Sequence, residues 1–180
     1  EGILFNANDC KLMGTPLRQV LSHHPQIDFV FKSHSSASAY PFCVTSDFPE
    51  HLNHRSNQDY VEEFLAFAEF LNARYAIPFA SNHCFLHKET KCFNETIISP
   101  FDVKTYFDAR RRQETGCQVM LPGDSWSTDN GFSIARQDYF TDRKRHLEEL
   151  ECHYSEKLER FYVRKKTARP HWESFQKYFS

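Results

Sequence analysis

Apolar and polar residues alternate along most of the chain in a pattern that predicts strands interspersed with helices. The clearest helix is predicted at Asn57–Arg74, where the apolar residues share one face, and shorter helices are predicted at Thr15–His23 and Pro100–Arg112. Thr15 and Ser99 are the predicted N-caps, each followed by a proline in the first turn. Short apolar runs predict strands at 2–5, 27–31, 75–77 and 117–121. The order predicts an α/β fold with a mostly parallel or mixed sheet.

The pattern changes near the C-terminus. From Arg136 to about Arg164 the chain is dense in charge, with apolar and aromatic residues at helical spacing. This predicts one long surface helix that packs on a partner, a second copy of the chain among the candidates. The sequence therefore predicts two parts, a domain at 1–134 and a long helical extension at 135–180.

Composition limits the possible classes of protein. The chain has 180 residues, 40% of them hydrophobic and 26% charged, which is typical of a globular protein with one sizeable core. A formal net charge of −2 argues against nucleic acid as the main partner. No apolar run approaches the roughly 20 residues of a membrane span, and no signal peptide is evident. The six cysteines are dispersed without a CxxC pair, which predicts free thiols and a cytoplasmic location.

Polar side chains collect just beyond the predicted strands. In α/β sheets, ligands bind beside the carboxyl ends of the strands. The densest such segment is Tyr75–Thr90, where a short apolar strand ends at Pro78 and is followed within ten residues by several polar side chains. The residues of this kind that follow strands are Asp9, His34, His83, His87 and Asp124.

Four of these side chains are donors that zinc or iron prefers: Asp9, His34, His83 and His87. His83 and His87 are four residues apart and would share a face if their loop were helical. The alternative is that the histidines bond to loop backbone, and that Asp9 caps a turn.

Other chemistry receives less support. The serine-rich loop around His34 lacks the GxSxG pattern of a catalytic serine. Cys84 is a candidate nucleophile or metal ligand, although a buried and inert thiol is the simpler interpretation. Asp124 lies either at the rim of a site or in the turn that ends a strand.

A set of motifs resembles the second half of a metallo-β-lactamase fold, closest to the UlaG-like branch that includes the catalytic domain of CMP-N-acetylneuraminate hydroxylase. The motifs are NANDC at 6–10, SHSSASAYPFC at 33–43, IPFASNHCFLHKET at 77–90 and VMLPGD at 119–124. The likeness spans roughly residues 1 to 130. It implies a four-layer αββα fold with a metal site between two sheets.

The resemblance also implies roles for individual residues. Asp9 matches a carboxylate that binds metal, and His83 or His87 would take the place of the last histidine ligand, because the position where many relatives carry it is Ala80. The HxHxDH motif that supplies most ligands in the family is missing from this sequence, so the first half of the fold is expected upstream or on another chain. The abrupt ends of the sequence likewise predict a fragment of a longer polypeptide.

Two hypotheses result. In the first, the chain is part of a metal-dependent enzyme that uses metal-activated water or oxygen to hydrolyse or otherwise modify a small polar substrate, such as a sugar or nucleotide sugar. Zinc is the expected metal, ahead of iron and manganese. Asp9 and His34 would be catalytic, Asp9, His83 and His87 would bind metal, and the predicted substrate-binding residues are Ser35, Asn82, Lys88 and Asp124. In the second, the fold is a non-catalytic interaction module that binds a partner through its C-terminal helix, and Ala80 favours this alternative.

Overall fold

In a computed structural model of the chain, four short strands form one parallel sheet. The structure describes residues 2–8, 10, 12–36, 38, 43–48, 50, 55–135, 140–167, 173, 176 and 177. The chain divides into two units, Glu1–Phe140 and Thr141–Ser180.

The sheet follows the order of the strands along the chain, β1-β2-β3-β4. Its strands are Leu4–Asn6 (β1), Phe29–Lys32 (β2), Tyr75–Pro78 (β3) and Gly116–Cys117 (β4). The helices that connect them are Thr15–His23 (α1), Asn57–Phe70 (α2) and Pro100–Arg110 (α3), and a 3₁₀ helix lies at Lys91–Thr96. All neighbouring strands are parallel, which confirms the predicted α/β class. The finer metallo-β-lactamase architecture stays a prediction.

The core lies between the sheet and α2 and α3. Alternate residues of a strand point to opposite faces, so Val30 and Ala76 share one face of the sheet. Both are buried in one cluster with Phe64 of α2 and Phe107 of α3, whose rings meet edge to face at 5.9 Å. The helices pack here because their apolar stripes follow helical spacing.

The opposite face of the sheet is aromatic. Phe29 and Tyr75 stack on it at 5.3 Å, and a hairpin of Ser125–Ser127 (β5) and Gly131–Ser133 (β6) packs on them through Trp126 and Phe132. Trp126 lies 4.9 Å from Phe29, and Phe132 lies 4.8 Å from Tyr75, measured between ring centroids. The hairpin therefore adds a second β layer against the sheet.

The two outer strands differ from the sequence prediction. The first strand was predicted as buried at 2–5, but β1 is an edge strand at Leu4–Asn6, and Leu4 is 57% exposed. Among the strands of the described residues it pairs only with β2, so one of its sides faces no described strand. The last strand was predicted at 117–121 but is limited to Gly116–Cys117, because it pairs with only two residues of β3.

The helix ends follow local capping chemistry. Ser99 caps α3 as predicted, and its hydroxyl accepts a hydrogen bond from the Asp102 amide. Thr15 is not the cap of α1: Gly14 takes that position with φ 59°, a conformation that glycine adopts without a steric cost. The second helix ends at Phe70, before the predicted Arg74.

Among the described residues of the Thr141–Ser180 unit, two helices take the place of the one long helix that was predicted up to about Arg164. They are Arg143–His153 (α4) and Ser155–Thr167 (α5), and they break at Tyr154, whose φ of −97° and ψ of 5° depart from helical values. No proline or glycine marks the break, and nothing in the structure explains it. The first residues of the predicted helix, 136–139, lie outside the described residues.

A charged cluster anchors β2 to α2. The Lys32 side chain is 7% exposed, and its Nζ lies 3.0 Å from Oε1 of Glu63 and 4.7 Å from the centre of the Phe67 ring. Arg55 also pairs with Glu63. Burial tends to raise the pKa of Glu63, but the hydrogen bonds and charges of Lys32 and Arg55 outweigh it, so the pKa lies below its ordinary value of 4.5.

We expect Glu63→Gln to lower the free energy of unfolding by about 2 kcal/mol at pH 7, because it leaves the buried Lys32 ammonium without its counter-charge. The expected loss is smaller than for a fully buried pair, because the Glu63 side chain is 32% exposed and water screens its charge. This stabilisation is present above pH 4.5 and is lost as the pH falls through the lower pKa of the folded state. Urea unfolding at pH 7 and pH 3 measures both effects.

The matched control is Asp108→Asn, which breaks the exposed Lys104–Asp108 pair at 2.7 Å and should cost less than about 0.5 kcal/mol. Equal losses for the two variants would show that the Lys32–Glu63 pair does not stabilise the fold. Combining Glu63→Gln with Lys32→Met should recover most of the loss.

Candidate functional site

The carboxyl ends of β1, β2 and β3 lie side by side, and the loops that follow them form the candidate site. The Phe79 amide donates to the Lys32 carbonyl at 2.9 Å, which continues the β2–β3 ladder into these loops. The Ser33 hydroxyl donates to the Asn8 carbonyl at 3.2 Å and so joins the loop after β2 to the loop after β1. The structure therefore brings together the segments that the sequence placed beyond these strands.

Ser81 joins the two central loops. It is buried, and its Oγ accepts hydrogen bonds from the backbone amides of His34 at 2.9 Å and Ser35 at 3.1 Å. The Ser35 hydroxyl donates in return to the Ser81 carbonyl at 3.4 Å. In the sequence, Ser81 is one of several polar residues in the loop after β3. Nothing local distinguishes it from the others, because serine is common in turns.

His34 lies at the centre of this network. The residue is 1% exposed, and neither ring nitrogen makes a hydrogen bond of ordinary geometry among the described residues, although the ring interacts with the Ile98 backbone. Burial lowers the pKa of His34 to about 4, a weak hydrogen bond with the Ile98 backbone acts to raise the pKa, and a positive charge on His83 would lower it further. The imidazole is therefore neutral at pH 7.

His83 is half-buried on the loop after β3. Its Nδ1 lies 3.1 Å from the Ser81 carbonyl oxygen, and its ring meets Phe85 edge to face at 5.2 Å. A carbonyl only accepts hydrogen bonds, so Nδ1 is the donor in this contact. The loop is held in place beyond this point by the buried Asn94, whose side chain bonds both backbone groups of Phe85, at 2.8 and 2.7 Å.

The loop that carries His83 and His87 is not helical, so the condition under which these two histidines would share a face is not met. Residues 81–86 are irregular, and His87 begins a turn in which its carbonyl accepts the amides of Thr90 and Lys91. The reason is local: Asn94 takes the backbone groups of Phe85 that a helix would use itself.

The other predicted site residues stand as follows. Asp9 lies outside the described residues. Both carboxylate oxygens of Asp124 accept backbone amides, from Leu121 at 2.8 Å and Ala135 at 2.7 Å, which favours the turn interpretation over a role in binding substrate. Asn82 and Lys88 are exposed on the loop after β3, and their role in binding substrate stays a prediction.

The predicted metal site requires several donor side chains that lie close together. Among the described residues, no group of three or more histidine, cysteine, aspartate or glutamate side chains is arranged to hold a metal ion. His34 and His83 form a pair that interacts electrostatically. His34 is a buried imidazole in one of these loops, and imidazole nitrogen is a donor that zinc accepts.

The cysteines are free, as predicted. Burial raises the pKa of the Cys117 thiol to about 12, so this thiol is inert at neutral pH. Cys84 lies half-buried beside His83 in sequence, and its role as a nucleophile stays a prediction.

Ala80 carries backbone strain next to the site, with φ 54° in the left-handed region. We expect Ala80→Gly to raise the free energy of unfolding by about 0.5 kcal/mol, because relief of the strain exceeds the extra entropy of glycine in the unfolded chain. Ala66→Gly, at an exposed position inside α2, should instead lower it by about 1 kcal/mol. Urea unfolding of both variants checks this; a loss for Ala80→Gly would show that the loop does not benefit from glycine.

Comparison of the chain with protein-family models, curated proteins and solved structures gives no match. None of the described helices combines the length and the apolar character needed to cross a lipid bilayer.

Proposed function

We propose that this chain is part of a metal-dependent enzyme of the metallo-β-lactamase type that hydrolyses or otherwise modifies a small polar substrate, such as a sugar or nucleotide sugar. The observation that carries the proposal is His34, a buried imidazole at the carboxyl edge of a parallel sheet, in a loop that Ser81 ties to the loop of His83. The sequence motifs at 6–10, 33–43, 77–90 and 119–124 supply the family and the substrate class.

The proposed site combines ligands and substrate contacts. Asp9, His83 and His87 are the ligands that the resemblance implies, with zinc ahead of iron and manganese. A metal bound there would lower the pKa of a bound water toward about 7. His34 would act on the substrate as an acid or base, and the Ser35 hydroxyl, held by Ser81, would orient it.

The remainder of the fold is the proposed partner. The aromatic face of the sheet is covered by the hairpin only in part: Ile3, Leu4 and Phe79 remain exposed there and beyond the strand ends. An apolar surface of this kind favours a further layer of protein. We propose that the first half of the fold, with its HxHxDH ligands, supplies that layer from upstream sequence or from another chain.

Elemental analysis of the protein as cells produce it tests the proposal. We expect about one or two equivalents of zinc, iron or manganese per chain, and a chelator should abolish hydrolysis of the substrate. Absence of bound metal together with activity that survives chelation would contradict the proposal.

A second candidate function, a non-catalytic interaction module, is favoured by the C-terminal unit. Neither α4 nor α5 contains a buried residue, and Leu150, Tyr154 and Val163 are exposed. Isolated helices of 11 and 13 residues are marginal in water, which favours a partner such as a second copy of the chain. Sedimentation velocity should then show a dimer that Leu150→Asp dissociates and Glu149→Gln does not; a monomer at all concentrations would remove self-association.

A further inference from the structure

We infer that two copies of the chain form a symmetric dimer in which β1 of one copy pairs antiparallel with β1 of the other, so that their sheets join into one. The inference does not depend on the proposed metal site. It also uses a different surface from α4 and α5, the helices considered above for self-association.

The first reason is the open edge of β1. The Ile3 carbonyl accepts an amide of β2 at 3.0 Å, and the Ala7 amide donates to a carbonyl of β2 at 2.7 Å, so the odd-numbered residues turn toward β2. The backbone groups of Leu4 and Asn6, which alternate with them, therefore point to the other side of the strand. Among the described residues, no hydrogen bond to the backbone of either one closes this side.

The second reason is that the opposite edge, at β4, is capped by cations. The Gly116 amide bonds toward β3 at 3.0 Å, so the backbone groups of Thr115 and Cys117 face outward. Their carbonyls accept hydrogen bonds from the Arg111 guanidinium at 2.9 Å and the Lys104 ammonium at 2.8 Å. Charged side chains of this kind keep further strands from adding to an edge. Among the described residues the sheet is thus protected at β4 and open at β1.

The composition of β1 indicates what pairs with it. Residues 2–8 contain no charge and no proline, the residue types that usually protect an edge strand. Ile3 is 37% exposed and Leu4 is 57% exposed, and consecutive residues of a strand lie on opposite faces of the sheet. A strand beside β1 therefore meets open backbone and apolar side chains on both faces. A second copy provides a strand without charges, so that no like charges oppose one another.

Two-fold symmetry determines the register. In a parallel pair a bonded residue lies opposite an unbonded one, so identical strands related by a two-fold axis pair antiparallel. With the axis at Phe5, Leu4 of each copy lies opposite Asn6 of the other, and each of these pairs exchanges both N–H···O bonds. The Phe5 residues of the two copies form the pair without hydrogen bonds, in which side chains lie closest. This register pairs both outward-facing residues within β1 itself.

Sedimentation velocity of the full chain over a concentration series tests the inference. The unmodified chain should change from monomer to dimer without larger species, because a two-fold interface closes on itself. Leu4→Lys combined with Asn6→Lys places like charges opposite one another, whereas Leu4→Lys combined with Asn6→Glu places opposite charges there. The dimer Kd should be about tenfold higher for the first double variant than for the second, which is its matched control.

Leu4→Pro is a second variant that blocks the edge by another means. It removes an outward-facing amide and leaves the ladder to β2 intact, because that amide takes no part in it. This variant should be monomeric at every concentration and keep the circular dichroism spectrum of the unmodified chain. Leu150→Asp, in the Thr141–Ser180 unit, should leave the dimer Kd unchanged within about twofold, because it lies outside the interface.

Hydrogen exchange reports on the edge directly. The amides of Leu4 and Asn6 should exchange more slowly as the protein concentration rises, because the dimer protects them. Protection that does not depend on concentration would show that a segment of the same chain covers the edge, and it would contradict the inference.

Three further results would overturn the inference. A monomer at all concentrations would exclude the dimer. A dimer that Leu150→Asp dissociates and Leu4→Pro does not would place the interface on the C-terminal unit. Equal Kd values for the two double variants would contradict the register. Each of these results leaves the proposed function as it stands, because metal content and hydrolysis are measured separately.

Discussion

Ser81→Ala is expected to lower the free energy of unfolding by about 3 kcal/mol. The serine Oγ is the acceptor for two backbone amides, those of His34 and Ser35, at 2.9 and 3.1 Å. Alanine leaves both amides without that acceptor in a buried setting, and each unsatisfied buried donor costs about 1–3 kcal/mol. Urea unfolding of the two proteins at pH 7 measures the difference.

Ser46→Ala is the matched control. The Ser46 hydroxyl also accepts a backbone amide, that of Phe48 at 3.0 Å, but at the surface, where water replaces the lost acceptor. Its expected cost is below about 0.5 kcal/mol. If Ser81→Ala cost no more than Ser46→Ala, Ser81 would not be the residue that holds the two loops together.

Hydrogen exchange gives a second measurement of the same prediction. The amides of His34 and Ser35 should exchange much faster in Ser81→Ala, whereas amides of β2, which bond to neighbouring strands, should change only as far as global stability does. Unchanged protection of the His34 amide would contradict the assigned hydrogen bond.

The metal-free protein is expected to lose about 3 kcal/mol of stability between pH 7 and pH 4 through His34 alone. Burial lowers the pKa of this histidine from 6.5 to about 4 in the folded protein. As the pH falls below 6.5 the unfolded chain binds a proton that the folded protein does not, so stability decreases with falling pH until the folded pKa is reached. Each pKa unit corresponds to about 1.4 kcal/mol.

The window between pH 6.5 and pH 5 isolates this effect, because the contribution of Glu63 begins only below its ordinary pKa of 4.5. Unfolding by urea in the presence of a chelator should show a loss of about 2 kcal/mol across that window. His34→Leu should remove this pH dependence, and His23→Gln, at an exposed position of α1, should retain it. A flat profile in the unmodified protein would mean that His34 is protonated in the folded state.

The helices were predictable because their signals are local. Asn57–Phe70 and Pro100–Arg110 bury faces that the spacing of apolar residues defines, and the Ser99 cap bonds only to a residue three positions away. The strands were located approximately, but their lengths were not, because a strand extends only as far as its neighbour pairs. The last strand stops at Cys117 for that reason, although the apolar sequence continues.

The candidate site was predictable only in part. That polar loops follow β2 and β3, and that His34 and His83 belong to them, followed from the strand pattern. The loop after β3 is not helical, as a shared face for His83 and His87 would require, because the side chain of Asn94 bonds both backbone groups of Phe85, nine residues away. The Asp124 carboxylate accepts a hydrogen bond from the Ala135 amide, eleven residues away, and no local sequence pattern indicates this contact.

By itself, the sequence determined the α/β class, the helices α2 and α3, the Ser99 cap and the edge of the sheet where polar side chains gather, because each depends on residues close together in the chain. The tertiary structure decided that β1 is an exposed edge, that Ser81 binds amides 46 and 47 positions away, and that His34 is buried. Those features depend on strand order and register, which set the neighbours of each loop and so fix both the burial of a side chain and the partners for its hydrogen bonds.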